Sequence, residues 1–307
     1  MERPLINVVN LRELGPERAR EIVQLGLKLK REPSELAGRL AGKGLLMIFE
    51  KPSTRTALSF QAAMGRMGGY SVVLDWDKSN FAISPIETEA RYASSNTDII
   101  VARLKRHSDL LVLASSSIVP VINGCDDRFH PTQALADFLT ILETSGHLGG
   151  QTLCYVGVLN NVANSLIEGA MLFGVNLRLV TPIINEPSFD EELMSEALAS
   201  GLVTSHESLH EGLQGAGYVY TDTWIDMENY HSPEYQVERE NRLAVMRPFS
   251  LTSESLGDRP LYIMHDMPIH PGFEITMELV NHARSVIYRQ AENRMHVEQA
   301  LLLELIH

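Results

Sequence analysis

Short apolar runs alternate with segments of helical spacing along the first half of the chain. The strands are predicted at Leu45 to Phe49, Tyr70 to Leu74, Asp98 to Ala102 and Ile118 to Ile122, and the helices at Thr54 to Met67 and His130 to Leu142. Such alternation is typical of α/β folds with mainly parallel sheets. In these folds, active sites lie at the carboxyl ends of the strands.

A second series of strands begins after residue 150. Its strands are predicted at Thr152 to Val156, Leu177 to Val180, Gly217 to Tyr220 and Leu261 to Met264, and its helices at Val162 to Phe173 and Val286 to Ile306. The polar, Gly-rich segment 143–150 separates the two series. We therefore expect two doubly wound α/β domains, 1–145 and 146–285, joined by helices. Residues 286–307 are expected to form a C-terminal helix that returns to the first domain.

Composition narrows the class of protein. The chain has 307 residues, of which 44% are hydrophobic, enough for two buried cores. Its formal net charge is -13, and it has no Lys/Arg block, so a nucleic-acid partner is not expected. The sequence contains no apolar run of about 18 residues, so a membrane span is not expected. Two cysteines without a CxxC pattern, and no signal-peptide pattern, favour the cytoplasm.

The strongest local signal is Phe49-Glu-Lys-Pro-Ser-Thr-Arg-Thr56, at the join of a predicted strand and helix. Free N–H groups at a helix start bind anions, and the three hydroxyls and Arg55 add further phosphate donors. An ordinary N-cap also uses Ser or Thr. From these residues alone, a phosphate site and a simple cap both remain open.

Further motifs follow in order, each near a strand end or a helix start. They are Arg103 before His107-Ser-Asp109, His130-Pro-Thr-Gln133, Asn160-Asn161, Thr221-Asp-Thr-Trp224, His265-Asp-Met-Pro268 and Gln290-Ala-Glu-Asn-Arg294. Together with Ser53-Thr-Arg-Thr56, this order resembles the aspartate/ornithine carbamoyltransferase family. The Asn-Asn, Thr-Asp-Thr-Trp and Gln-Ala-Glu-Asn-Arg signatures are more similar to the ornithine branch.

The resemblance implies transfer of a carbamoyl group from carbamoyl phosphate to an amine, without a metal or cofactor. It assigns the phosphate to Ser53, Thr54, Arg55 and Thr56, and the carbonyl oxygen to Thr56, Arg103 and His130. Gln133 and the Met267 backbone carbonyl would hold the carbamoyl NH2, and Arg294 would close the site. Donors around a developing oxyanion and a leaving phosphate fit this chemistry.

The acceptor motifs depart from the ornithine branch. The resemblance implies an acceptor site with Asn161, Asp222, Asp226, Met227 and Asp266, in which Asp222 meets the reacting amine. Asp226 stands where the branch has Ser, and Asp266 stands where it has Cys. Unpaired carboxylates repel an α-carboxylate. The acceptor is therefore either ornithine, with the Asp charges neutralised locally, or a more cationic amine such as a diamine or a specialised metabolite.

The segment 77–86 also departs from the ornithine branch, which has a Ser-rich stretch that reaches the phosphate site of a neighbouring subunit. Lys78, Ser79 or Asn80 could take that role here. The resemblance then implies a homotrimer with shared active sites. The alternative is a solvated loop.

Two other classes remain as alternatives. His206-Glu-Ser-Leu-His210 fits the HExxH pattern of zinc metalloproteases, in which both His side chains share a helix face. The segment leaves room for only two helical turns, and it has no evident third ligand. A non-catalytic binding paralogue is the other class, and the presence of Arg55, His130 and Arg294 argues against it.

Overall fold

The computed structural model describes residues 5–225 and 232–306. This part of the chain forms two compact units, the first made of residues 5–144 and 292–306, and the second of residues 145–291. Each unit is built on a parallel β-sheet flanked by helices, which confirms the predicted α/β class. None of the helices in the described segments is both long and apolar enough to cross a membrane.

The first unit contains four parallel strands in the order β2-β1-β3-β4. Their bounds are β1 Gly44–Phe49, β2 Tyr70–Asp75, β3 Ile99–Arg103 and β4 Val121–Cys125. All residues of β3 and β4 are buried, which explains why these strands appear in the sequence as continuous apolar runs. By contrast, β2 is an edge strand whose residues are exposed or half-buried.

The helices of the first unit connect these strands and cover the sheet. They are α1 Gly15–Arg31, α2 Thr54–Arg66, α3 Ile86–Ser94, α4 His107–Ser116 and α5 Pro131–Ser145. One core cluster joins β1 and β3 to α3 and α4 through residues such as Ile48, Ile100, Ala90 and Leu110. Short 3-10 turns at Trp76–Lys78 and Asn80–Ala82 lie between β2 and α3.

The second unit contains five parallel strands in the order β7-β6-β5-β8-β9. Their bounds are β5 Thr152–Leu159, β6 Asn176–Ile184, β7 Val203–Ser205, β8 Tyr218–Thr221 and β9 Tyr262–His265. The central strand β5 is almost entirely buried. It pairs with β6 on one side and with β8 on the other.

In the described part of the chain, six α-helices lie between β5 and the last helix. They are α6 Asn161–Phe173, α7 Glu191–Ala199, α8 Leu209–Gly212, α9 Gln236–Met246, α10 Ser253–Leu256 and α11 Met277–Val280. Helix α6 ends at Gly174, whose left-handed conformation (φ 71°) favours glycine because it has no Cβ.

The last helix, α12 (Ile287–Leu305), begins in the second unit and continues in the first. Within the first unit, Asn293 Nδ2 donates to Thr140 Oγ1 of α5 over 3.0 Å. Lys30 of α1 donates to Asn293 Oδ1 over 2.8 Å and pairs with Glu143. These contacts tie α12 to α1 and α5, as the predicted return of the C-terminal helix requires.

One predicted strand was placed too early. Residues 118–122 were expected to form it, but β4 begins at Val121, after Ser117 and Pro120 have turned the chain. Ile118 is 59% exposed, so its apolar side chain is not part of the sheet core. An apolar run shows which residues are hydrophobic, but a proline, which lacks a ladder donor, limits where pairing can begin.

Candidate active site

The first unit has its topological switch point between β1 and β3, because the strand order reverses there. Ligands in open α/β sheets bind outside the carboxyl ends of the strands at such a point. The strand β1 ends at Phe49 and leads into α2 at Thr54, while β3 ends at Arg103. The topology therefore brings the Ser53-Thr-Arg-Thr56 motif and Arg103 to the same edge of the sheet.

The start of α2 is capped as the sequence indicated. Ser53 has extended backbone angles, and its Oγ accepts the N–H of Thr56 over 3.3 Å. No acidic residue occupies the first turn of α2. The helix dipole therefore remains available to an anion at this end. The sequence left open whether this helix start is a simple N-cap or a phosphate site. In the structure, the same turn can serve as both.

Arg294 of α12 is hydrogen-bonded to two of the other residues predicted to bind the carbamoyl donor; these residues are called the donor site below. Its Nη2 donates to Thr56 Oγ1 over 2.8 Å, and its Nη1 donates to Gln133 Oε1 over 3.1 Å. Gln133 in turn donates from Nε2 to Asp137 over 2.8 Å. All three donor-site side chains are buried, so the guanidinium is held in one orientation.

His130 precedes α5 and is buried beside three cations. Burial and the charges of Arg294, Arg103 and Arg55 lower the pKa of His130 well below its ordinary value. The imidazole is therefore neutral at neutral pH, and it can donate one hydrogen bond without adding a fourth positive charge. Neutral donors and fixed cations are suited to a polarised carbonyl beside a phosphate.

The second unit has its own switch point, between β5 and β8. Asn160 follows β5 and caps α6, since its Oδ1 accepts the N–H groups of Val162 and Ala163. The Nδ2 of the same side chain donates to Asp222 Oδ2 over 2.7 Å. Asp222 follows β8, so neighbouring strand ends place the amide and the carboxyl group in contact.

Asp222 and Asp266 are neighbouring carboxyl groups at the ends of adjacent strands. Asp266 follows β9, which is the neighbour of β8 in the sheet. Burial, the charge of Asp266 and the bond between the two groups raise the pKa of Asp222 well above its ordinary value, while Asn160 and His265 partly oppose this. Among the described residues, Asp222 has no ion pair with Lys or Arg. The raised pKa favours a protonated Asp222 carboxyl group beside Asp266.

His265 lies beneath this pair and is fully buried. Its Nε2 is 3.2 Å from Glu274 Oε1, and its Nδ1 accepts the Met267 N–H over 2.8 Å. Burial lowers the pKa of His265, but the adjacent carboxylates outweigh it and raise the pKa to about 9. The Met267 N–H is directed at Nδ1 and leaves no place for a second ring proton, so this contact opposes the cationic form that the raised pKa favours.

The structure brings the predicted donor-site residues of the first unit together, with the exception of Met267, which belongs to the second unit. Met267 has a left-handed backbone (φ 63°), a strained conformation of the kind found at functional sites. In the second unit, Asn161 is the first residue of α6, next to the Asn160 cap. Asp226 and Met227 lie outside the described residues. The roles assigned to these residues remain predictions.

Asn160 was named only as part of the Asn160-Asn161 motif, without a role of its own, and Tyr155 was not named from the sequence. Asn160 is the direct partner of Asp222, and the Tyr155 hydroxyl donates to the Val158 carbonyl and lies 3.4 Å from Asn160 Oδ1. The signal for Asn160 was available, because an Asn after a predicted strand and before a helix is an N-cap candidate. Tyr155 is an ordinary member of an apolar strand run and gave no such signal.

The zinc metalloprotease alternative is wrong. Helix α8 begins only at Leu209, after the Ser208 cap, so His206 and His210 do not share a helix face. His206 Nε2 instead lies 2.9 Å from Thr204 Oγ1, and His210 Nδ1 lies 3.3 Å from Arg259. The pattern arose from a turn rather than from the long helix that the HExxH site needs.

Comparisons with known proteins decide the family. Residues 7–143 match the model described as the carbamoyl-P binding domain of aspartate/ornithine carbamoyltransferase, and residues 149–305 match that of its Asp/Orn binding domain.

The chain belongs to the aspartate/ornithine carbamoyltransferase family.

Relatives within this family resemble the chain over nearly its whole length. It is 38% identical to the ornithine carbamoyltransferase of Ignicoccus hospitalis, with 98% of each chain covered. It is 34% identical to the catabolic ornithine carbamoyltransferase of Halobacterium salinarum, covering 98% of this chain and 99% of that one.

Solved structures of the family show the same fold. The ornithine carbamoyltransferase of Thermus thermophilus is 34% identical, with a TM-score of 0.87 and all of both chains covered. That of Pyrococcus furiosus is 33% identical, with a TM-score of 0.89, covering 98% of this chain and 96% of the other. The resemblance seen in the motifs therefore extends to the architecture.

The Asn160 contact with Asp222 is testable through stability. Asn160→Ser keeps a capping oxygen but removes the amide donor, whereas Asn160→Asp keeps the cap and adds a third carboxyl group. A carboxyl group whose pKa is higher in the folded than in the unfolded protein destabilises the fold as the pH rises above the unfolded-state pKa of about 4. We expect the Asp variant to be the less stable of the two at pH 8, and the difference to shrink towards pH 4.5.

Urea denaturation at both pH values measures this difference. Asp190→Asn, at the cap of α7, serves as the control, because its side chain also accepts a helix N–H, that of Leu193, but at a half-buried position. A pH-independent difference between the two Asn160 variants would contradict the assigned contact.

Proposed function

We propose that the protein transfers a carbamoyl group from carbamoyl phosphate to an amine of ornithine or of an ornithine-like diamine, releasing phosphate. One observation supports this above the others. Arg294 is hydrogen-bonded to both Thr56 and Gln133, at a capped helix start. This arrangement presents a buried cation, hydroxyl groups and free N–H groups to a phosphate-bearing donor.

In the proposed reaction, the neutral amine nitrogen attacks the carbamoyl carbon. The carbonyl π electrons move to oxygen and form a tetrahedral oxyanion. The oxyanion then collapses and breaks the bond between carbon and the bridging oxygen, which leaves with its electron pair as phosphate. The departing phosphate takes up the proton that the amine loses, which completes the ureido product. Charge thus develops on the carbonyl oxygen and the phosphate, beside the hydrogen-bond donors and cations of the first unit.

The proposed roles follow the family resemblance. Ser53, Thr54, Arg55 and Thr56 hold the phosphate, while Thr56, Arg103 and His130 polarise the carbonyl oxygen. The depressed pKa of His130 supports its role as a neutral donor, since protonation lies below the physiological range. Gln133 and the Met267 carbonyl hold the carbamoyl NH2. Much of the acceleration comes from holding the two reactants together.

The activity is tested with an assay for ureido products. Purified protein is mixed with carbamoyl phosphate and, separately, ornithine, putrescine, lysine, 2,3-diaminopropionate, N-acetylornithine and aspartate. We expect product with ornithine or another diamine. Arg294→Gln should lower kcat/KM by about 100-fold or more, because removal of one such donor typically has this effect.

Arg18→Gln is the matched control, because Arg18 forms a partly exposed pair with Glu304 away from the donor residues. It should keep nearly all of the activity. Absence of product with every amine on the panel, or equal activity of the Arg294 and Arg18 variants, would contradict the proposal.

A second candidate acceptor is a cationic amine other than ornithine. The closeness of Asp222 to Asp266 favours it, because among the described residues Asp222 is held by the Asn160 amide and by no Lys or Arg. A cationic amine would relieve their repulsion, whereas the α-carboxylate of ornithine would add to it. If ornithine is the acceptor, a positive group must offset the repulsion between its α-carboxylate and the two Asp carboxyl groups. A diamine has no carboxylate and needs no such group.

Asp266→Asn distinguishes these acceptors. The variant removes one charge while keeping the side chain's size, so the ratio of kcat/KM for ornithine to that for putrescine should rise about tenfold, or about 1.4 kcal/mol. Exchange of Asp226 for Ser together with Asp266 for Cys should move the ratio further. Steady-state kinetics with both amines gives the ratio.

Asp258→Asn is the control, since Asp258 is an exposed acid of the second unit. It should leave the ratio unchanged. If Asp266→Asn also leaves it unchanged, the carboxyl pair does not select the acceptor.

We further propose that the protein acts as a homotrimer in the cytoplasm, with Lys78, Ser79 or Asn80 reaching a neighbouring subunit. An apolar edge surface supports this assembly. It is formed by residues of β2, α3 and the turn between them, of which Tyr70, Val72 and Tyr92 are exposed. A cavity of about 410 Å³ opens here, lined in part by Lys78, Ser79 and Asn80. Large exposed apolar patches mark interaction sites.

Charged substitutions in the apolar edge surface test the assembly. The wild-type protein should have about three times the 34.2 kDa mass of one chain by light scattering. Val72→Lys combined with Tyr92→Glu should shift it to single chains and reduce activity. Val237→Lys on α9, also an exposed valine, should remain a trimer. A wild-type protein with the mass of one chain would contradict the proposal.

A further inference from the structure

Helix α12 carries a fully buried carboxyl group one turn after Arg294. Glu298 is 0% exposed, and its Oε1 lies 3.8 Å from Arg294 Nη2. The same Nη2 donates to Thr56 Oγ1 over 2.8 Å. A single guanidinium nitrogen therefore lies between the start of α2 and the Glu298 carboxyl group. The proposed reaction has no role for this group.

Two short contacts of Ser59 indicate that the Glu298 carboxyl group carries a proton. Ser59 Oγ lies 2.8 Å from the Arg55 carbonyl oxygen and 2.8 Å from Glu298 Oε1. A hydroxyl group has one proton, and a carbonyl oxygen can only accept. Both short contacts are satisfied together when Ser59 donates to Arg55 and a protonated Glu298 donates to Ser59.

The second oxygen of the same carboxyl group supports this protonation state. Within the described residues, Glu298 Oε2 is buried without a hydrogen-bond partner. An ionised carboxylate in such surroundings is far less stable than a neutral one. Burial raises the pKa of Glu298 to about 8, and Arg294 and Ser59 oppose it only in part.

We propose that Glu298 is a positioning residue for the donor phosphate, and that only its protonated form supports tight donor binding. In that form it fixes Ser59 against the Arg55 carbonyl and leaves the charge of Arg294 available to the phosphate. When Glu298 ionises, its carboxylate competes for Arg294 and places a negative charge behind the phosphate site. The inference rests on the donor half of the proposed function.

The groups that face Glu298 come from two helices. Arg294 of α12 is the charged group acting on its carboxyl, and Ser59 of α2 is its hydrogen-bond partner. Arg55, on the same helix as Ser59, contributes its backbone carbonyl to this relay. His130 does not titrate in the same range, because its pKa is depressed. Loss of the Glu298 proton is therefore the change expected near pH 8.

The size of the effect follows from linkage. A phosphate-like dianion favours the protonated form, so binding takes up a proton wherever Glu298 is ionised in the free protein. If the bound form keeps its proton, dianion affinity falls about tenfold between pH 7 and 9. At pH 8 about half a proton should be taken up per dianion bound.

Sulfate is the probe, because it is a tetrahedral dianion whose charge does not change in this range. Its dissociation constant is measured by calorimetry at pH 7, 8 and 9, at constant ionic strength, for the wild-type protein and two variants. Glu298→Gln should bind sulfate with nearly constant affinity across the range. Glu304→Gln, an equivalent change on the same helix at a partly exposed pair with Arg18, should retain the wild-type decline.

Proton uptake provides a second measurement that needs no variant. Sulfate binding to the wild-type protein at pH 8 is repeated in two buffers of different ionisation enthalpy. Uptake near half a proton is expected, and uptake of none would overturn the proposal. So would a Glu298→Gln protein whose affinity falls as steeply as the wild type. Absence of sulfate binding at pH 7 would instead contradict the donor site itself, which separates the two failures.

Discussion

The two hydrogen bonds of Arg294 are the interaction on which the first unit's site depends. They link the last helix of the chain to the start of α2 and to α5, so three elements far apart in sequence meet at one guanidinium. Because a guanidinium is planar and keeps its charge, this link fixes direction as well as distance. Thr56 and Gln133 each lie in the first turn of their own helix, and Arg294 joins them.

Both units use the same property of parallel sheets. Where the strand order reverses, the loops that follow two neighbouring strands separate and leave a crevice at their carboxyl ends. The first unit supplies hydroxyls and cations there, and the second supplies the Asn160 amide and two carboxyl groups. The sites therefore differ in charge but share a structural origin. An anionic donor suits the first, and a basic acceptor suits the second.

Much of the fold could be predicted from the sequence, because buried parallel strands produce continuous apolar runs that begin and end at turn residues. The misplacement of β4 shows the limit, since Ile118 is apolar but precedes the proline after which pairing begins. The motif order identified the family, whose match covers both units. What the sequence could not reveal were contacts between distant residues. Thr56 and Arg294 are 238 positions apart, and no local pattern links them.

The carboxyl pair posed a different problem. Asp222 and Asp266 each follow an apolar strand. They lie close together because β8 and β9 are neighbours in the sheet, and the order of strands in a sheet cannot be read from local sequence spacing. From the sequence, it was open whether a cation neutralises these groups. At Asp222 the structure shows the Asn160 amide as the partner, and burial beside Asp266 raises the pKa of the carboxyl group.

Burial favours the neutral form of both a basic group and acidic groups in this protein. It lowers the pKa of His130 and raises the pKa values of Asp222 and Glu298, so an imidazole and two carboxyl groups approach neutrality together. In the first unit, a neutral His130 adds no further positive charge, and a neutral Glu298 leaves the charge of Arg294 available to a dianion. In the second, the raised pKa of Asp222 limits the charge repulsion between Asp222 and Asp266.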